Sequence, residues 1–207
     1  DDIGTINLLT PDRVRDAAKL VRRGDSFNLD LTLDLPVRTA EGGGRGAYVH
    51  KPTRHRGGGD DSLDNFYLQG SSQWDGLRHH RYQQFGYYQG LQDEDLASDR
   101  IGIDAWGEHG IAGRAVLLDL PRFLGAAFDV RERIPMDGKI MEEIAAQEGV
   151  EFRPGDILLL RTGWMSWYLE GERAGNADPA RMVPTAPSPG LGGDIELQHA
   201  GAPDGQI

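Results

Sequence analysis

Leu68-Gln69-Gly70-Ser71-Ser72-Gln73-Trp74-Asp75-Gly76-Leu77-Arg78-His79-His80 is the chemically densest stretch of the chain. It holds one carboxylate, two side-chain amides, two hydroxyls and two imidazoles, with glycines between them. Small residues let a backbone approach a ligand, and side chains tipped with oxygen or nitrogen can then converge on one ion or one polar group. Two readings stand side by side: an active site, or a polar loop plugged by an aromatic residue. Short motifs match by chance often enough that the rest of the chain must arbitrate.

The stretch resembles the signature H-x-G-T-H-x-D-x-P-x-H of the cyclase family of metal-dependent hydrolases, to which bacterial kynurenine formamidase belongs. Laid on this sequence, the motif's Asp falls on Asp75, its last His on His79, and its Thr on Ser72. Its first and second His fall on Gln69 and Gln73, its Gly on Ser71 with Gly70 beside it, and its Pro on Leu77. The resemblance implies Asp75 as a metal ligand, with Gln73 and Gln69 at the other two ligand positions, and His79 as the acid/base. Asp2 to Thr10 is similar to the opening segment of a branch of the family whose site reads S-S-Q-W-D. Trp106 to Arg114 with Val116 to Asp119, and Pro154 to Trp164, resemble two later landmarks. Together they imply one continuous match over residues 1–194 and a swivelling β/β/α fold, incomplete at the C-terminus.

Composition sets outer limits. A chain of 207 residues is long enough for a real core and within the range of one domain. The net charge of -11 argues against nucleic acid or an anionic membrane as partner, since phosphate binding needs a basic face. Cysteine is absent, which removes disulfides and thiolate metal sites and is compatible with the cytoplasm. No apolar run reaches the length of a membrane span, and Asp1-Asp2 does not open a signal peptide.

Taken in order, Thr10-Pro11 followed by Val14, Ala17, Ala18 and Val21 predicts a capped helix stopped at Gly24. Phe27, Leu29, Leu31, Leu33 and Leu35 alternate with polar residues over Ser26 to Asp34, the period of a strand with one buried face. Residues 36–64 are rich in Gly, Arg and Asp and read as a mobile flap or a long excursion over the site. Within them, Gly42-Gly43-Gly44-Arg45-Gly46 lacks the end of a phosphate loop, and Asp60, Asp61 and Asp64 lack calcium-loop spacing, so both read as solvated loop.

Tyr82, Phe85, Tyr87 and Tyr88 follow the histidines closely, as the walls of a pocket for a flat substrate or as core and contact rings. Asp104 is placed to cap a short helical turn that ends at His109-Gly110, with His109 as a structural histidine. Ala115 to Leu120 and Ile157 to Arg161 read as strands covered on both faces. Between them Asp137 caps a helix with Ile140, Met141, Ile144 and Ala145 on one face, closed at Gly149. Helix, turn and apolar strand in this order make an α/β or α+β fold. Residues 195–207 show neither periodicity nor family likeness and read as a disordered tail, the chain being a fragment or frame-altered product.

The leading functional reading is a hydrolase that cleaves an amide or related acyl bond of a small substrate, aromatic or not, with metal-activated water. His79 is its proton carrier, and Ser72, Trp74, Tyr82 and Trp164 line its pocket. Gln73 and Gln69 offer neutral carbonyl oxygens where the family has imidazoles, a shell that favours manganese or magnesium over zinc and binds any divalent metal less tightly. The resemblance implies a small-molecule substrate and a homo-oligomer at full length. The competing reading is a catalytically impaired binding or interaction protein on the same scaffold. A metal-free hydrolase using Ser71 or Ser72 with His79 ranks third, because no G-x-S-x-G elbow is present.

Overall fold

The structure, a computed structural model, describes residues 1–36, 46–130, 134 and 136–174. The expectations for Gly42 to Arg45, the loop 184–194 and the tail 195–207 fall outside these residues. The fold is mixed α/β, and the chain groups into two compact units, Asp1–Arg114 with Pro154–Ile157 and Ala115–Arg153 with Leu158–Ile207.

The first unit opens with a 3-10 turn, Gly4–Leu8, and helix α1, Pro11–Ala18. Thr10 caps α1 by accepting the Arg13 N–H at 3.5 Å, and Pro11 supplies the preset first turn. The helix stops at Ala18, short of the expected Gly24. Leu20 and Val21 are exposed, so no packing holds a further turn in place. The alternating stretch 26–34 is likewise not a strand. Phe27 and Leu29 are 78% and 75% exposed, and among the described residues no ladder partner lies beside them.

Regular sheet appears instead inside the Gly-rich stretch. Strands β1, Val49–His55, and β2, Gly58–Asp64, pair antiparallel across the two-residue turn Arg56-Gly57. Both strands are exposed along their whole length. Charge links their rungs: His50 Nε2 lies 2.7 Å from an Asp61 oxygen, Lys51 pairs with Asp64, and His55 faces Asp60 at 3.8 Å. Asp61 and Asp64 are thus engaged by His50 and Lys51 of the opposite strand, and the acids expected in a loop stand on an exposed hairpin.

Helix α2, Ile103–His109, is preceded by Gly102 at the N-cap; Asp104 lies within its first turn and does not cap it. His109 Nδ1 lies 2.8 Å from the Gly110 carbonyl oxygen, a structural role. Arg114 and Asp156 form a 2.6 Å ion pair at the edge of this unit.

The second unit holds the main core. Strand β3, Ala115–Asp119, runs directly into the short helix α3, Leu120–Leu124, because Asp119 accepts the Arg122 N–H and Pro121 sits in the first turn. Helix α4, Gly138–Glu148, is capped by Asp137 and closed by Gly149 in the left-handed conformation, as its sequence indicates. Strand β4, Ile157–Arg161, pairs with β3, and helix α5, Trp164–Arg173, follows. Val116, Leu118, Leu120, Met136, Met141, Ile144 and Ala145 close together into one apolar cluster.

The expected burial of both strand faces is corrected here. Val116 and Leu118 are buried, but Leu117 between them is 52% exposed and Leu158 of β4 is also exposed. Among the described residues α4 covers one face of the two-stranded sheet, and strand alternation sends every second side chain away from it.

Candidate active site

The signature stretch lies wholly in the first unit. Its first part is a 3-10 turn, Leu68–Gly70, and its two serines then bind the segment that precedes the hairpin. Ser71, which is buried, donates from Oγ to the Thr32 carbonyl at 2.9 Å. Ser72 Oγ accepts the Leu31 N–H, also at 2.9 Å. Both hydroxyls thus hold backbone of residues 31–32, and neither is bonded to His79 among the described residues. The Ser–His hydrolase is not supported, and Ser72 Oγ is engaged with the Leu31 backbone.

The second part turns sharply. The His79 N–H bonds the Gly76 carbonyl at 3.0 Å, and the Arg78 N–H bonds the Ile101 carbonyl at 3.0 Å. The turn returns His79 over Asp75, with Nε2 3.8 Å from Asp75 Oδ2; both side chains are more than a third exposed. On the other side, Gln73 Nε2 lies 3.5 Å from the same oxygen. Gly76 is required by close approach. A Cβ there would lie 2.7 Å from the Ile103 nitrogen and 2.9 Å from the Gly102 carbonyl carbon.

What meets Gly76 is itself strained. Ile101 is fully buried and has φ of 52°, a left-handed conformation that a β-branched residue resists. Such conformations cost on the order of 1–3 kcal/mol and persist only where the surroundings fix them. Here burial of the side chain and the carbonyl's bond to Arg78 do so, and both hold the Asp75–His79 turn against the start of α2.

The aromatic residues of the sequence reading fall in both units. Trp74 packs edge-to-face on Trp106, with centroids 6.2 Å apart, and Trp106 Nε1 is buried without a hydrogen-bond partner among the described residues. Tyr82 stacks on Phe85 at 5.7 Å, and the Tyr87 hydroxyl donates to Asp93, which raises the Tyr87 pKa above its ordinary value. Trp164 belongs to the second unit, where its ring stacks on the buried Tyr168 at 5.2 Å. Gln69 sits in the 3-10 turn at the start of the stretch.

A cleft of about 280 Å³ adjoins the stretch at Gly70. Leu33, Tyr48, Phe66 and Tyr67 wall it, with Asp34 and His50 as its charged and titratable lining. Sequence reasoning passed over these aromatics. The signal available was their position: Tyr48 and Phe66-Tyr67 flank the hairpin on either side and so come together when it closes.

The donor set does not by itself make a metal shell. Asp75 offers one anionic carboxylate, but among the described residues no group of three or more His, Asp and Glu converges as a metal site would need. No helix among those residues is long and apolar enough to cross a membrane.

The family model Cyclase matches residues 30–196. The crystal structure of a novel cyclase superposes with a TM-score of 0.70 at 26% sequence identity, over 88% of this chain and 65% of that one. The chain therefore spans just under two thirds of the length of the cyclase it matches. No curated protein matches.

Proposed function

The chain belongs to the cyclase family, and from that premise we propose that it is a hydrolase of the kynurenine formamidase type, cleaving an amide or related acyl bond of a small aromatic substrate. The observation that carries this reading is the approach of His79 to Asp75 at 3.8 Å on a turn fixed by Gly76 and Ile101. An imidazole beside a carboxylate takes a proton from water more readily, because the carboxylate stabilises the imidazolium that forms. The same imidazole then returns the proton to the leaving amine. A separation beyond hydrogen-bond length is ordinary for catalytic groups without substrate. The family likeness implies a divalent metal that would activate water and polarise the acyl carbonyl. The donors among the described residues do not form a set that fits one.

The observation favouring a second reading is the pair Gln69 and Gln73 at positions where the family signature carries imidazole. On that reading the scaffold binds a ligand or partner without turning it over.

Formanilide separates the two. Hydrolysis consumes one water and releases formate and aniline, and formate release above the uncatalysed rate supports the hydrolase. Loss of that rate in His79→Ala with unchanged melting supports His79 as the proton carrier. Saturable binding of formanilide with no formate released places the binding protein first.

A further inference from the structure

We propose that Arg100, gripped by Asp2, is a positioning residue for the Asp75–His79 pair, and that residues 1–9 clamp the turn on which that pair stands. That the pair turns over a substrate rests on the hydrolase reading above; that the clamp sets the approach of His79 to Asp75 does not.

The opening segment is braced by its own bonds. Asp1 accepts the Ile3 N–H at 3.0 Å and the Asn7 side-chain amide at 2.8 Å, and that amide also donates to the Gly4 carbonyl at 2.9 Å. These bonds tie the 3-10 turn Gly4–Leu8 to the residues before it. Its far end is anchored as well. Ile6 and Leu9 are buried, and Leu9 lies so close to Gly113 that a Cβ there would meet its Cδ2 at 3.0 Å.

Two contacts reach the site from this base. Gly4, with φ of 58°, lays its backbone against Leu77, where a Cβ would stand 3.3 Å from Leu77 Cδ1. Leu77 belongs to the turn closed between Gly76 and His79. The second contact is an ion pair between residues 98 positions apart: Asp2 Oδ1 accepts Arg100 Nε at 3.2 Å and Nη2 at 3.1 Å. Two charged hydrogen bonds to one oxygen orient the guanidinium as well as attract it.

What Arg100 steadies is the residue after it. Ile101 holds its left-handed φ of 52° while its carbonyl accepts the Arg78 N–H at 3.0 Å. A residue so strained keeps its conformation only while its surroundings fix it. Burial fixes the Ile101 side chain, and the grip of Asp2 on Arg100 fixes the backbone leading into it. Rotation there would carry the carbonyl away from Arg78, the residue next to His79. Asp75 and His79 stand 3.8 Å apart, beyond hydrogen-bond length, so the backbone of the turn sets their separation.

The test uses the full chain with formanilide as substrate, together with NMR of the histidine ring signals, His79 being identified by the signals lost in His79→Ala. Asp2→Asn and Arg100→Gln are each expected to lower kcat by about fivefold or more with KM within about twofold, since small displacements of a catalytic group lower turnover steeply. The double variant is expected to lose no more than either single one, because the two residues act as a unit. Arg100→Lys, which keeps the charge, is expected to recover part of the loss. The His79 signals are expected to shift in Asp2→Asn and Arg100→Gln, while those of His109, which bonds the Gly110 carbonyl, stay in place. Gly4→Ala presses a methyl on Leu77 with the ion pair left intact and is expected to shift the same His79 signals. Lys19→Gln, which breaks the exposed pair with Asp16 on α1, is expected to change neither kcat nor the His79 signals. The Asp2–Arg100 side chains are more than a third exposed, so melting temperatures are expected to stay close to wild type and show that the variants fold. Unchanged kcat and unchanged His79 signals in both Asp2→Asn and Arg100→Gln overturn the proposal, and so do losses that multiply in the double variant. A wild-type chain that releases no formate sinks the hydrolase reading, and the His79 signals then decide the clamp alone.

Discussion

His79 Nε2 sits 3.8 Å from Asp75 Oδ2, four residues apart in a segment that is not helical. The spacing is helical by number only, and the turn closed between Gly76 and His79 produces the approach. His80 follows directly, yet among the described residues no ion pair joins it to an acid. His79→Ala is expected to lower formanilide turnover by about a hundredfold or more, the usual loss for a general acid/base. His80→Ala is expected to remain within a few-fold of wild type. Asp75→Asn, which keeps the shape and removes the charge, is expected to lower kcat with little change in KM. Equal losses in the two histidine variants would assign His79 to structure.

Two glycines near the site are expected to respond in opposite directions. Gly76→Ala drives a methyl into the backbone of Gly102 and Ile103, and overpacking of this kind costs about 1–3 kcal/mol. Gly107 lies inside α2 with open space where its Cβ would stand, so Gly107→Ala is expected to stabilise by about 0.5–1 kcal/mol. Urea midpoints measure both. A neutral Gly76→Ala would mean that the turn and α2 do not approach as described.

The one-sided cover of the β3–β4 sheet makes a sharp contrast in stability. Ile144, fully buried in the cluster of α4 and β3, is expected to cost about 2–5 kcal/mol on truncation to Ala. Leu117, on the opposite face of β3, is expected to change stability by only about 0.5 kcal/mol on the same truncation. Chemical denaturation of the two variants reads the difference, and a large loss at Leu117 would show that its face is covered in solution.

The Arg114–Asp156 pair is the best-buried ion pair among the described residues, with side chains 22% and 9% exposed. Asp156 is nearly buried and accepts a charged hydrogen bond from Arg114 at 2.6 Å, so Asp156→Ala is expected to cost about 1.5–3 kcal/mol. Glu143→Gln, which breaks the exposed pair with Lys139 on α4, is expected to leave the midpoint nearly unchanged. Comparable losses would show that the first pair gains nothing from its burial.

Local rules made several parts of the chain legible in advance. Thr10-Pro11 started α1, Asp137 and Gly149 bracketed α4, and Pro154-Gly155 turned into β4, because caps and turns depend on residues within a few positions of one another. The signature stretch was legible for the same reason: its residue types and spacing lie within one short segment, and the Cyclase match agrees with the family its letters indicate.

The remaining features depended on partners distant in sequence. The alternation over residues 26–34 has the period of a strand, but a strand exists only when another backbone lies beside it, and none does among the described residues. The hairpin at 49–64 carries no apolar period, since its rungs are joined by His–Asp and Lys–Asp pairs that only the register brings together. Leu117 reads as core by composition and is exposed because a single layer covers its sheet. The cleft belongs to this second class as well: Leu33, Tyr48 and the Phe66-Tyr67 pair are apart in the chain, and the hairpin's closure together with the Ser71 and Ser72 bonds assembles them. The sequence by itself determined which residues carry proton and polar chemistry, because that follows from side-chain type. Tertiary structure alone decided what those residues face, because packing and hydrogen bonding act between segments that the order of the chain does not relate.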